Sequence, residues 1–263
     1  MSEWSELADG VFVRRYTELD LTVGLVVGAE QALVVDTRGD RAQGAELAAA
    51  VREVTELPWQ IVLTHGHFDH CFGTEAFLPA PVWAHERCAR FLDRTAEVQR
   101  TTWAEHYRAE GSPDTVEALV GTSVVRPDHL VSEHTTLDLG GRRVRLLHLG
   151  SGHTDHDLVV ETDAVVFAGD LVEQGAPPDF EDAHPESWPS TMDSLLDLGA
   201  EVVVPGHGNP VTADFVREQQ ANIAELAELC RNHRLGLITA SEAEAESPYP
   251  GPTTRTALDR TTR

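Results

Sequence analysis

The stretch that most constrains this chain is Thr64-His65-Gly66-His67-Phe68-Asp69-His70, where three imidazoles and a carboxylate fall within six residues. Before it, Trp59-Gln60-Ile61-Val62-Leu63 reads as a short buried strand. After it, Cys71-Phe72-Gly73-Thr74-Glu75-Ala76-Phe77 can open a helix. The cluster therefore sits on a strand-to-helix turn at the C-terminal edge of a strand, where open α/β sheets carry their sites. A lone histidine is usually a hydrogen-bonded core or surface residue. Three with an aspartate in this order point to a metal, and imidazole with carboxylate suits zinc, iron or manganese.

The rest of the chain must then supply the missing ligands from a layered fold, for which 263 residues are enough. Period-two, β-branched runs at 11–16, 21–28 and 31–37 read as a strand meander. An Ala- and Glu-rich helix is expected over 40–54 with Asp40 as its cap. A strand at 81–85 and a charged helix over 86–109, broken near Gly111-Ser112-Pro113, follow. The second half starts the pattern again. A hairpin over 137–147 turns at Gly140-Gly141, and a second turns about Asp163. A helix over 185–198, a strand at 201–205 and a long helix over 214–234 complete it. From Ser241 the chain is polar, although Ala243, Tyr249 and Leu258 are apolar enough to dock. This gives one domain over 1–238 and a polar C-terminal tail over 239–263.

Three later stretches end predicted strands with ligand-type residues: Gly152-His153-Thr154, Gly169-Asp170 and Pro205-Gly206-His207-Gly208. In each a glycine precedes the polar residue, as expected where backbone comes close to a metal or another loop. Each alone is common turn chemistry; together with the first cluster they complete a site.

Net charge and residue usage narrow the chemistry. At −24 and without a basic stripe, the chain is no nucleic-acid binder. All its basic residues are arginine, so a Schiff-base or P-loop lysine is excluded. The three cysteines, Cys71, Cys88 and Cys230, are scattered and form no disulfide framework. No apolar run is long enough to cross a membrane, and the acidic N-terminus does not read as a signal peptide. A cytoplasmic chain with a small-molecule substrate is expected, with no nucleic acid, no membrane and no mark of an oligomeric state.

The series His-x-His-x-Asp-His, Gly-His-Thr, Gly-Asp and Pro-Gly-His-Gly, in this order and spacing over roughly 10–215, resembles the metallo-β-lactamase superfamily of metal-dependent hydrolases. The resemblance implies an α/β fold, an αββα sandwich of two mixed sheets with outer helices. It also implies two divalent metal ions, zinc foremost, with iron or manganese as alternatives. His65, His67 and His153 would hold one and Asp69, His70 and His207 the other, with Asp170 between them. A hydroxide shared by the ions would attack a small ester, thioester, lactone or related substrate, with Asp69 orienting it. Lactam-hydrolysing members usually carry Cys or Ser at the Asp170 position. The two alternatives are a β-lactam hydrolase of the same fold and a metal-binding or redox-sensing module without hydrolysis. Here the third motif reads His153-Thr154-Asp155-His156-Asp157, which leaves His156 as a neighbour of the site or a solvated turn residue. Asp157 is expected as an acceptor for a ligand histidine. Cys71 reads as a small buried hydrophobe. His85, His184 and His233 read as structural or exposed, and Trp83 and Trp188 as core. Leu171–Phe180 is expected beside the substrate.

Overall fold

The computed structural model describes residues 3–261. Seven strands, β1 (Trp4–Ala8), β2 (Val11–Arg15), β3 (Thr22–Val27), β4 (Ala32–Val35), β5 (Trp59–Val62), β6 (Val82–His85) and β7 (His129–Val131), form the first sheet in chain order. β1 to β4 pair antiparallel and β4 to β7 parallel. The second sheet holds β8 (His134–Asp138), β9 (Arg143–Leu147), β10 (Val159–Thr162), β11 (Val165–Glu173) and β12 (Val202–His207), in the order β12-β11-β10-β9-β8, with only β11 and β12 parallel. The helices are α1 (Arg41–Val54), α2 (Phe68–Cys71), α3 (Glu86–Ala109), α4 (Pro113–Val120), α5 (Trp188–Leu196), α6 (Ala213–Arg234), α7 (Ala240–Glu246) and α8 (Gly251–Thr261).

Side-chain alternation explains why the strands make a four-layer stack. Successive strand residues face opposite sides, so a strand apolar at every position can serve two cores at once. Ala32 and Val34 of β4 join α1, α3 and α4 in one core, while Leu33 and Val35 face the gap between the sheets. Val166 and Ala168 of β11 pack under α5, α6 and α8, and Val165 and Phe167 fill the same gap from the other sheet. The result is the expected α/β sandwich of two mixed sheets. β9 alternates over most of its length: Val144 and Leu146 point inward, Arg143 and Arg145 outward.

Element positions follow local signals closely in some places and loosely in others. Asp40 Oδ1 accepts from the amides of Ala42 and Gln43, both at 2.8 Å, and so starts α1 as expected. The expected helix over 185–198 forms only from Trp188, because the amides of Ser187 and Trp188 turn back onto the His184 carbonyl. β1, β7 and α4 were not expected. Within the stretch read as a polar tail, α7 and α8 form over its described residues. Ala243 and Leu258 are buried in the core beneath α6, and Tyr249 packs against that core. Among the described residues, no helix is long and apolar enough to cross a membrane.

Candidate metal centre

The carboxyl ends of β4, β5, β11 and β12 meet at one edge of the stack. Residues 64–70 leave β5, Asp170 lies within β11, His207 ends β12, and His153 lies in the loop after β9. The seven residues singled out by the sequence come together here in two groups. His65, His67, His153 and Asp170 form one; Asp69, His70 and His207 form the other. Within each group the candidate ligand atoms lie within 4.8 Å of one another.

Each of the five imidazoles has one nitrogen turned outward, to an oxygen that fixes its tautomer. His70 Nδ1 donates to Asp36 Oδ2 at 2.8 Å. His207 Nδ1 donates to the Leu19 carbonyl at 2.7 Å. His67 Nε2 donates to Asp182 Oδ2 at 3.2 Å, and His153 Nδ1 to the Asp179 carbonyl at 3.4 Å. Thr64 Oγ1 donates to Asp36 Oδ2 at 2.8 Å, which leaves it to accept from His65 Nδ1 at 3.0 Å. The second nitrogen of every ring then faces its neighbours. His153 Nε2 lies 3.0 Å from His67 Nδ1, and His70 Nε2 lies 3.2 Å from His207 Nε2. Two lone pairs repel at that distance unless a proton or a cation lies between them. His65 Nε2 and Asp170 Oδ1 are buried with no hydrogen-bond partner. Converging nitrogens, orphaned buried atoms and a carboxylate reaching both groups make a donor set that could hold divalent metal.

Asp170 is the hinge of this arrangement. Its Oδ1 is 3.2 Å from His70 Nε2, and its Oδ2 is 3.3 Å from His207 Nε2 and 3.6 Å from the Nε2 atoms of His65 and His153. Gly206 makes room for it, since a Cβ there would lie 1.8 Å from Asp170 Oδ1. Burial disfavours the Asp170 carboxylate, but the positive fields of His70, His207 and His65 outweigh it and hold its pKa well below the usual range. Burial likewise opposes the His207 imidazolium, yet Asp170 and Asp69 raise it to about 10. His153, where burial dominates, falls to about 3. Asp69 Oδ2 sits 3.4 Å from His207 Nε2 and 3.6 Å from His70 Nε2, on the cavity side.

Several supporting residues had escaped the sequence reading. Asp36, just past β4, takes a left-handed backbone (φ 64°) and is almost fully buried. It accepts from the Thr64 amide, the Thr64 hydroxyl and His70, so one carboxylate aims two parts of the ligand turn. Gln99 of α3 braces the same turn, donating to the Gly66 carbonyl and accepting from the Phe68 amide. Leu19, also left-handed (φ 53°), presents its carbonyl to His207 from a short turn. The only signal for Asp36 was an acidic residue ending a buried strand.

One expectation needs correcting, and two open ones resolve. Asp157 does not serve a ligand histidine; it accepts from the Thr154 amide and hydroxyl, and burial pushes its pKa up to about 7. His156 is neither solvated nor open to the cavity. It is buried, and its Nε2 accepts from the Gly66 amide at 3.2 Å, tying the two ligand loops together. His85 is structural, one of the two readings expected of it: it is buried and caps α3. Cys71 is a buried thiol donating to the His67 carbonyl, and Trp188 is fully buried core.

A cavity of about 600 Å³ opens over the second group. Leu19, Phe68, Val98 and Trp103 give it an apolar side, the last residue of β11 contributes Glu173, and the loop after it contributes Asp179, Glu181 and Asp182. Among the described residues lining it there is no arginine.

Comparison with known proteins identifies the family and the fold. The chain is 27% identical over 224 residues to the acyl-coenzyme A thioesterase MBLAC2 of Gallus gallus, covering 79% of each. It is 30% identical over 90 residues to a metallo-beta-lactamase type 2 of Bacteroides fragilis, covering 32% of this chain and 36% of that one. A metallo-beta-lactamase from Pontibacter korlensis superposes with a TM-score of 0.67 at 22% identity, over 85% of this chain and 99% of that one, which shows a shared fold. The family model described as the metallo-beta-lactamase superfamily matches residues 17–207, from just before the Leu19 turn through His207, and the chain belongs to that superfamily.

Proposed function

We propose that the chain is a dinuclear metal-dependent hydrolase, zinc being the favoured metal, that cleaves a small ester, thioester or lactone carrying no anionic group. The observation that carries this reading is the set of inward-facing nitrogens, each fixed by an outward hydrogen bond and all converging on Asp170. His65, His67, His153 and Asp170 would hold one ion; Asp69, His70, His207 and Asp170 the other. A pair of divalent ions, when bound, polarises a carbonyl oxygen and brings the pKa of water towards neutrality. The chain's own residues then position and exclude. Asp69 Oδ2, on the cavity side of the second group, accepts a proton of the attacking water and sets its direction. Phe68 and Trp103, stacked at 4.2 Å, give the acyl portion an apolar wall and keep water from it.

A thioester-cleaving relative supports carbonyl chemistry at this site. The acidic, arginine-free lining argues against a carrier as polyanionic as coenzyme A itself. Metal analysis of reconstituted protein, followed by an assay panel of thioesters, lactones, a chromogenic lactam and phosphodiesters, tests the reading. Two ions per chain and turnover of carbonyl substrates are expected. Saturation at one ion would end the dinuclear reading, and turnover of phosphodiesters alone would end the acyl one.

A further inference from the structure

The segment 179–184 serves two of the three histidines of the first group. Its Asp179 carbonyl accepts from His153 Nδ1, and its Asp182 carboxylate accepts from His67 Nε2. These contacts leave His153 Nε2 and His67 Nδ1 to face each other at 3.0 Å. Such a segment lacks a helix or strand of its own and needs outside anchors to stay in register. At its start, buried Glu173 accepts from the Asp179 amide at 2.9 Å, and Phe180 packs between Trp188 and Tyr249, at 5.2 and 5.9 Å. At its end, the anchor comes from α8: Arg260 Nε donates to the Ala183 carbonyl at 2.8 Å, and its Nη2 to the Asp182 carbonyl at 3.0 Å. The planar fork thus spans two successive peptides, a geometry a single ammonium cannot match. α8 itself is fixed, with Thr254, Ala257 and Leu258 buried against the outer core.

We propose that Arg260 is a positioning residue for the metal centre: from the C-terminal helix it holds Asp182 against His67 and so fixes the ring nitrogen offered to the first ion. The inference rests on the metal-site reading above. It makes α8, far from the ligand motifs in sequence, a working part of the site.

Cobalt(II) is the probe, added to the full-length metal-free chain. Affinity is read by competition with a chromophoric chelator, and coordination by the visible ligand-field bands. Asp182→Ala should weaken the tighter cobalt site by about 10–100-fold, the usual cost of losing a partner behind a ligand histidine, and alter its bands. Asp182→Asn keeps an acceptor and should lose less. Arg260→Ala should shift affinity and bands in the same direction by a smaller factor, and Arg260→Lys should recover part of it. The double variant Asp182→Ala/Arg260→Ala should bind no more weakly than Asp182→Ala alone, because both act through one contact. Two results would overturn the proposal: a lower melting temperature of metal-free Arg260→Ala with affinity and bands unchanged, or effects that simply add in the double variant. Should Arg260→Ala not fold, the Lys and Asp182 variants carry the same comparison. No cobalt binding at all by the wild-type chain would instead sink the metal-site reading, and this inference with it.

Discussion

At the residue scale, Asp69 and Asp36 do opposite jobs with the same side chain. Asp69 faces the cavity between His70 and His207. Asp69→Asn keeps the shape and loses the charge, so kcat on whichever ester proves active should fall by about 10²–10⁴-fold, with the fold intact. Measuring metal content alongside kcat separates lost proton handling from a lost second ion; near-normal turnover with one ion bound would make Asp69 a bystander. Asp36 faces inward and stabilises. Asp36→Ala strips the acceptor from the Thr64 amide and from His70, and each orphaned buried donor costs about 1–3 kcal/mol. A clear drop in the urea midpoint of the metal-free chain should follow, and an unchanged midpoint would contradict the account. The difference between the two aspartates also marks what the sequence could reveal. His65 to His70, His153, Asp170 and His207 stand out because ligand chemistry demands those residue types beside glycines at strand ends. Asp36, Gln99 and the Leu19 carbonyl act across gaps of 28 residues or more, or through backbone atoms that any residue supplies, and leave no local mark.

At the element scale, packing overrides propensity where α1 crosses the turn after α2. Gly44 sits in α1, and a Cβ there would lie 2.2 Å from the Gly73 carbonyl oxygen and 2.6 Å from the Gly73 Cα. Helix propensity alone favours Gly44→Ala by about 1 kcal/mol. Backbone cannot yield as a side-chain tip can, so overpacking, about 1–3 kcal/mol, should prevail. Thermal denaturation of Gly44→Ala should show a lower melting temperature; a higher one would mean the contact is slack. The same balance decides which elements were legible. β3, β4, β5 and β11 were readable because their apolar, largely β-branched runs have few alternatives to a buried strand. α1 announces itself by its cap and periodicity, and α3 by its long charged helical stretch alone. β1 and β7 were not readable: one mixes polar and apolar residues on each face, the other is three residues long, and only pairing with a neighbour makes them strands. α7 and α8 looked like a tail because their few apolar residues, Ala243, Ala257 and Leu258, matter only against the groove that α6 provides.

At the scale of the whole molecule, the site is assembled from four separate stretches, so metal binding should count as folding energy. Chelation should lower the melting temperature, and an unchanged curve after verified metal removal would contradict a shared site. Charge sets the other global property. The chain carries −24 and no lysine, and its cavity holds seven carboxylates without an arginine among the described lining residues. Asp69 and Asp170 lie among the candidate ligands, where bound metal would offset them, and Asp20 is paired with Arg15. Glu173, pushed to about 8 first by burial and then by Asp170, is largely neutral near pH 7. Asp179, Glu181 and Asp182 remain at the entrance; among the described residues none forms an ion pair with an arginine, although the His67 hydrogen bond and, further off, Arg260 lower the Asp182 pKa. Burial raises the Asp179 pKa, and Asp179 in turn raises that of Glu181, the mark of carboxylates crowded together. A substrate charge ~8 Å from one such carboxylate feels roughly 0.5–2 kcal/mol at effective dielectrics between 80 and 20. Across three carboxylates, matched esters differing only in a remote group should therefore rank cationic above neutral above anionic in kcat/KM, the ends at least ~10-fold apart. Because the entrance is open to solvent, the gap should narrow steeply as ionic strength rises from ~0.01 to ~1 M, where the Debye length falls from ~30 to ~3 Å. Glu181→Gln should narrow it at low salt as well. An anionic ester hydrolysed as fast as its cationic match at low salt would show that the ions, and not the acidic rim, set the field the substrate meets.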